Sequence, residues 1–310
     1  MTVSTDVSVL IVSYNTREMT LDSIRSVYEQ TTEGTFEVIV VDNGSSDGSA
    51  EAIARDFPHV KLIRRPDNPG FAAGNNLAAK EACGRYLLLL NPDTRVMGGA
   101  IDKLLACARR LSDGGAWGGV CVLNNGDVDP GSRQMEPTLK GRLKALVGRD
   151  EQRAARHPRD HCFEGVVPVL EGAFMMVRRD LWQQLGGFDE SFVMYAEEAD
   201  LCRRIRDAGY RIYMTGLARI LHFSGASETD TGRRTLQKTR GLAHYFRKHY
   251  HAPCSCLASV LIWLHALQRL LGGMLLTPLH PERGRRLRER FGTVACCPWQ
   301  WWSGWRDRRL

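Results

Sequence analysis

Five consecutive apolar residues, Tyr86-Leu87-Leu88-Leu89-Leu90, run straight into Asn91-Pro92-Asp93. They form the last of four short apolar runs separated by stretches of helical spacing, and this alternation constrains the fold more than any other feature. Val7-Ser8-Val9-Leu10-Ile11-Val12 and Phe36-Glu37-Val38-Ile39-Val40-Val41 are β-branched and of strand length, and Val60-Lys61-Leu62-Ile63 is a third candidate. Between the first two, Leu21, Ile24, Val27 and Tyr28 recur every three or four residues, the mark of a helix. Further helices are expected over residues 49–57 and the Ala-rich residues 71–83, and around Ile101, Leu104, Leu105 and Ala108. Such βα alternation predicts an α/β fold with a mostly parallel sheet covered on both faces by helices. Sheets of this kind bind ligands beyond the carboxyl ends of their strands. The polar clusters that close the apolar runs are therefore the candidate site residues.

The second half reads differently. Residues 124–165 are polar, rich in Arg and Gly and weakly periodic, and are read as a mobile insertion with one short helix near 139–146. Residues 166–213 hold a strand, a helix beginning near Arg179 and another over about 198–208 that Gly209 caps. We expect an α/β domain over residues 1–230 and a helical, basic tail over 231–310. Residues 233–310 carry 15 Lys and Arg against 3 Asp and Glu, a net +12, so the +7 of the whole chain leaves residues 1–232 at −5.

A basic appendage on an acidic body points to an anionic surface as partner. No helix-turn-helix, finger or RNA-binding signature accompanies it, which argues against nucleic acid. The apolar residues 257–276 are interrupted by His265, Gln268 and Arg269, with Gly272-Gly273 following, so the segment reads as too short and broken to span a bilayer. Leu257, Leu261, Leu264, Gln268 and Leu271 fall near one face, as in an interfacial or packing helix. Arg283, Arg285, Arg286, Arg288 and Arg290 follow, then Trp299, Trp301, Trp302 and Trp305. Arginines with indoles suit the headgroup layer of an anionic membrane, and equally a Trp-rich cap; the net charge favours the membrane. The nine cysteines show no zinc or disulfide spacing, and Cys83, Cys107, Cys121 and Cys202 read as small core residues in a reducing cytoplasm. The polar start, Met1 to Asp6, is not that of a signal peptide.

Each cluster has chemistry open to it. The backbone and ring of Ser13-Tyr14-Asn15 suit the border of a nucleobase. Asp42 and Asn43 open the Asp-Asn-Gly-Ser-Ser-Asp-Gly segment, where a carboxylate can accept from a base N–H or a ribose hydroxyl. The same segment suits an Asx turn before a helix capped by Asp47 or Ser49. Asn68-Pro69-Gly70-Phe71 leads to Asn75 and Asn76 and opens a helix whose N-terminus can face phosphate or sugar. Asp93 is a hard anionic ligand for a divalent cation. His222 closes an apolar run ahead of Phe223-Ser224-Gly225-Ala226-Ser227, as a metal ligand or as a satisfied structural histidine. No phosphate-binding Gly-x-x-x-x-Gly-Lys loop is present.

These segments, in this order, resemble glycosyltransferase family 2, in particular its bacterial rhamnosyltransferase-type branch. The resemblance rests on Val-Ser-Tyr-Asn, Val-Val-Asp-Asn-Gly-Ser-Ser-Asp-Gly-Ser, Asn-Pro-Gly-Phe-Ala-Ala-Gly-Asn-Asn and Leu-Asn-Pro-Asp. It continues through Glu171-Gly172-Ala173-Phe174 and through residues 187–204. It implies a GT-A fold, an inverting reaction and a nucleotide-sugar donor, with L-rhamnose from dTDP-rhamnose as the expected case. A cell-envelope glycan or lipid-linked molecule would be the acceptor.

The resemblance also implies residue roles. Asp42 would contact the base, with Ser13, Tyr14, Asn15, Asn43, Gly70, Asn75 and Asn91 around the donor. Asp93 would be the metal-binding acid for Mg2+ or Mn2+. Asn91 replaces the first acid of the family's Asp-x-Asp, so metal binding leans on the donor diphosphate and on His222. Glu197-Glu198 matches the family's Glu-Asp pair, whose second member is the base. This assigns Glu198, with Glu197 as the alternative and Asp200 beside them on the helix. The Asn91 and Glu198 departures support one other reading, a nucleotide-sugar-binding scaffold without catalysis. As an enzyme, the chain is expected at the inner face of the cell membrane, peripheral to it.

Overall fold

The computed structural model describes residues 5–129, 132–149, 163–223 and 230–305. Within the 124–165 segment, residues 130–131 and 150–162 lie outside the described residues, as do Ser224 to Ser227 of the motif after His222 and residues 306–310 of the tail. The chain divides into two compact units. One comprises Met1–Met135, Ala155–Asp189 and Asp200–Ser227; the other Glu136–Ala154, Glu190–Ala199 and Glu228–Leu310.

The first unit is built as the alternation dictates. Strand β1 (Val7–Ser13) leads through helix α1 (Arg17–Gln30) to β2 (Phe36–Asp42), then α2 (Ser49–Asp56), β3 (Lys61–Arg64), α3 (Phe71–Lys80) and β4 (Tyr86–Leu90). The strands lie in the order β3-β2-β1-β4, all parallel, with β1 and β4 buried along almost their whole length. Helix α3 lies close on β1 because Gly74 has no side chain; a Cβ there would stand 2.8 Å from Val12. Ending at Lys80, α3 is shorter than the expected 71–83, and Cys83, expected in the core, is exposed.

The sheet continues with strands that the apolar pattern does not announce. These are β5 (Thr94–Met97) and, after α4 (Ala100–Arg110), β6 (Gly114–Val122), whose nine residues are all buried. Four glycines hide β6 from a search for β-branched runs. They are required by crowding: a Cβ on Gly115 would stand 2.6 Å from Leu181, and one on Gly118 or Gly119 would collide with Leu170 or Phe174.

Residues 124–129 do not form a mobile insertion. They turn straight back on β6, where Asp129 N donates to the Cys121 carbonyl at 2.8 Å. The short β7 (Arg133–Gln134) follows and pairs with β9 (Val169–Leu170), while β8 (Glu164–Val166) pairs with the long β11 (Arg211–His222). Strand β10 (Phe174–Arg178) runs antiparallel between β4 and β6, and β11 joins parallel β6 to antiparallel β5. The parallel half is thus extended by a mixed half. His222 pairs in register with Thr94, which brings the ends of β11 and β4 together.

Two helices complete this part of the chain, α6 (Arg179–Leu185) and α7 (Glu197–Asp207), the latter beginning among residues of the second unit; α5 (Leu139–Leu146) belongs to that unit.

The second unit also contains α8 (Thr231–His249), α9 (Ala252–Leu276) and α10 (Pro281–Cys296). Its apolar core includes Ala243, Phe246, Ala258, Ile262, Ala266, Val294 and Trp301. Contrary to the expectation of a short, broken segment, α9 is continuous for 25 residues. By length and composition it is long and apolar enough to cross a membrane, with 33% of its most apolar stretch buried in the structure. His265, Gln268 and Arg269 do not break a helix, and Gly273 is tolerated because it packs against the Gly284 backbone. Leu261 turns inward, while Leu257, Val260, Leu264, Leu271, Met274 and Leu275 are exposed. The indoles are not a uniform headgroup layer either. Trp301 and Trp305 are buried, Trp301 Nε1 donates to the Val294 carbonyl at 2.8 Å, and Trp299 stays exposed.

Candidate active site

At the carboxyl ends of β1 and β2 the loops are stitched together. Asn15, at φ 51°, accepts from Ser46 N at 2.8 Å, and its own N–H donates to Ser45 Oγ at 2.9 Å. Ser13 Oγ is committed to the hydroxyls of Thr16 and Thr20, and Asn43 N takes its carbonyl, so Ser13 shapes the loop from inside. Tyr14 is half exposed. Asp42 is buried; Ser45 N donates to its Oδ1 at 3.0 Å, while Oδ2 is buried without a hydrogen-bond partner. Asn43 Nδ2 donates to the Gly70 carbonyl at 3.2 Å, and Asn43 Oδ1 likewise has no partner. A buried acceptor left unmade costs about 1–3 kcal/mol, and a base N–H or ribose hydroxyl would satisfy both atoms. Gly70, at φ 93°, holds the turn into α3, and Asn75 Nδ2 bonds back to the Phe71 carbonyl within that helix.

Asp47 secures the same region from behind. Its carboxylate accepts from Arg17 N at 2.9 Å and Ser49 N at 3.0 Å. Burial pushes its pKa up, but the hydrogen bonds from Ser49 and Arg17 outweigh it and hold the carboxyl below its ordinary value.

The end of β4 meets the end of β11. The Asn91 carbonyl accepts from Thr94 Oγ1 at 2.6 Å, closing the Asn-Pro-Asp turn. Asp93 is buried, with its carbonyl taken by Phe223 N at 3.0 Å and its Oδ1 3.4 Å from His222 Nε2. On its other edge, His222 Nδ1 faces Asp129 Oδ2 at 3.6 Å and Glu171 Oε1 at 3.9 Å. Burial pulls the imidazole down, but the facing Asp129 and Asp93, with Cys121 beside them, outweigh it and hold the metal-free His222 far above an ordinary histidine, so a cation that uses Nε2 takes the place of a proton there.

Two places here have donors for a cation. Cys121, Glu171 and His222 offer ligand atoms within 4.8 Å of one another. Burial first, then the Glu171 charge, pushes the Cys121 thiol up to about 12, and its soft sulfur is poorly matched to a hard ion. The Asp93 side presents carboxylate oxygen and imidazole nitrogen. Neighbouring ligands at roughly 2.1 Å from one Mg2+ stand about 3 Å apart, close to the spacing here. The residues at Asp93 and His222 therefore fit a divalent ion. Asp129 and Glu171 were not identified as site residues from the sequence; the signal for Asp129 was its return to β6, which residue types alone do not show.

Glu197 and Glu198 begin α7. The two residues before them, Tyr195 and Ala196, both have positive φ, 67° and 72°. Such conformations cost about 1–3 kcal/mol each and collect at functional sites. Tyr195 is braced by α8: Lys238 Nζ lies 5.2 Å over its ring, and Gly241 leaves room for its carbonyl. Asp200, further along α7, is fully buried in an ion pair with Arg204 at 2.8 Å. Arg204 also donates to the carbonyls of Leu185 and Gly187, so this pair clamps α7 to the turn after α6.

A sequence profile of the family described as Glycosyl transferase family 2 matches residues 8–186. The N-acetylglucosaminyl-diphospho-decaprenol L-rhamnosyltransferase of Mycobacterium tuberculosis is 33% identical over 218 residues, covering 65% of this chain and 70% of the relative. Among solved structures, the mannosyltransferase PcManGT from Pyrobaculum calidifontis, in complex with GDP-Man and Mn2+, superposes with a TM-score of 0.61 at 18% identity. That match covers 95% of this chain and 87% of the other. GalNAc-T7, crystallised with UDP, GalNAc and Mn2+, superposes with a TM-score of 0.55 at 16% identity over 78% of this chain and 48% of its own. The fold is of the GT-A type.

Proposed function

Because the chain belongs to glycosyltransferase family 2, we propose that it is an inverting enzyme that moves L-rhamnose from dTDP-rhamnose to a lipid-linked glycan acceptor of the cell envelope. The observation that carries this reading is the buried Asp93–His222 pair at the strand ends. The likeness to a rhamnosyltransferase named for a diphospho-decaprenol substrate supports the donor and acceptor classes. In this reading Asp42 and Asn43 accept from the nucleotide, Tyr14 and Asn15 border the base, and Gly70 and Asn75 shape the helix start beside it. Asn91 holds the turn that presents Asp93. Asp93 and His222 hold Mg2+ or Mn2+, which when bound offsets the charge of the departing nucleoside diphosphate.

Glu198 takes the proton from the acceptor hydroxyl as that oxygen attacks the anomeric carbon. The bond from that carbon to the diphosphate breaks on the opposite face, and its electron pair leaves with the nucleotide. The two left-handed residues before Glu197 fix where the helix begins and so where this carboxylate stands. Glu197 is the alternative base. Asp200, bound to Arg204, supports the helix that carries both. The helical unit, with its arginines and exposed apolar stripe, associates peripherally with the inner face of the membrane that carries the acceptor.

Glu198→Gln tests the assignment. Turnover should fall about 100-fold or more, as expected for a lost general base, with donor affinity unchanged. An equal loss in Glu197→Gln alone would move the base by one residue, and full turnover in both variants would contradict an acid at this helix start.

A further inference from the structure

The ring of His222 is gripped on one edge and open to Asp93 on the other. Its Nδ1 faces two carboxylates, Asp129 Oδ2 at 3.6 Å and Glu171 Oε1 at 3.9 Å, while Nε2 lies 3.4 Å from Asp93 Oδ1. Neither carboxylate is on a loose loop. Asp129 N donates to the Cys121 carbonyl at 2.8 Å, and Ser132 N donates to the Asp129 carbonyl at 3.0 Å. The buried Ser132 hydroxyl then bridges the N–H and carbonyl of Cys121 at 2.9 and 3.2 Å. Val128 bridges to Val122 across the same turn. Glu171 directly follows β9, and its carbonyl accepts from Phe174 N at 3.4 Å at the start of β10. Two separate backbone segments of the first unit thus deliver acids to the same edge of one imidazole.

We propose that Asp129 and Glu171 are positioning residues that keep the N–H of His222 on Nδ1 and aim Nε2 at the cation held with Asp93. A neutral imidazole can bind a cation through only one nitrogen, and the partner of the other decides which. With the Nδ1 edge facing two carboxylates the proton there is retained, and the ion takes the place of the proton between Nε2 and Asp93. Without them the ring loses that bias and can rotate or change tautomer. This rests on the Asp93–His222 cation reading above.

The test measures Mn2+ affinity by electron paramagnetic resonance, without donor or turnover, in wild type, Asp93→Ala, Asp129→Asn, Asp129→Glu and Glu171→Gln. Midpoints of thermal unfolding without metal serve as the folding control. Asp129→Asn and Glu171→Gln should each weaken Mn2+ about 10- to 100-fold, the usual effect of losing such a partner, and Asp129→Glu should recover most of it. If one variant fails to fold, the other carries the test. Wild-type Mn2+ affinity in the folded Asn or Gln variants, with Asp93→Ala impaired, would overturn the positioning role alone. Failure of wild type to bind Mn2+, or full binding by Asp93→Ala, would overturn the cation reading and the inference resting on it.

Discussion

Asp200 shares a helix with Glu197 and Glu198, and residue type alone would place all three carboxylates in the same chemistry. Their surroundings separate them. Asp200 is fully buried, and its charge is balanced by Arg204, which in turn holds two carbonyls of the preceding turn. Removing one partner of a buried pair strands the other and typically costs 3–5 kcal/mol. Asp200→Asn should therefore lower stability by about 3 kcal/mol in chemical denaturation, and any loss of turnover should track the unfolded fraction. Unchanged stability with lost turnover would place Asp200 in the catalytic group instead. The placement of Asp93 and His222 at strand ends was legible from the sequence because each closes an apolar run. Asp129 was not, because it sits in a polar segment whose value lies in a backbone turn.

Among the elements, β1 to β4 were legible because each is β-branched or Leu-rich and ends in a polar turn. Strand β6 was not: its glycines match no strand pattern and make sense only once Leu170, Phe174 and Leu181 are seen filling the space where side chains would be. The start of α7 was half legible. The Glu-Glu pair is visible, but nothing in Tyr195 or Ala196 announces a left-handed backbone, a conformation that neither residue type favours. Helix α8 packs against this turn through Gly241, where a Cβ would collide with the Tyr195 carbonyl and stand 3.3 Å from the Met194 oxygen. Gly241→Ala should shift the turn and with it Glu197 and Glu198. A displacement near 1 Å can cost about 100-fold in rate, so kcat should fall at least about 10-fold while donor affinity holds. Lost stability with wild-type kcat would show that Gly241 serves packing only.

At the scale of the whole molecule, charge is segregated along the chain: residues 233–310 are strongly basic and the rest is acidic. The exposed residues Leu257, Val260, Leu264, Leu271, Met274 and Leu275 add an apolar stripe on α9. The tail's arginines and tryptophans suit both membrane and packing, and only the net charge tipped the reading toward a membrane. The structure divides the work, with Trp301 and Trp305 buried and Trp299 and the leucines exposed. Sedimentation with vesicles should show binding to anionic lipid that falls at high salt and weakens in Leu264→Gln/Leu271→Gln. Equal binding to neutral vesicles would remove the role of charge, and no binding to either would assign the stripe to a protein partner. Under the proposed function, the donor binds together with the cation. This is tested most directly by calorimetric titration of a panel of nucleotide-sugars, dTDP-rhamnose included, into wild type and Asp93→Ala, each with and without Mn2+. dTDP-rhamnose should bind wild type only with the metal and should not bind Asp93→Ala. Binding that is indifferent both to the metal and to Asp93 would contradict the proposed function.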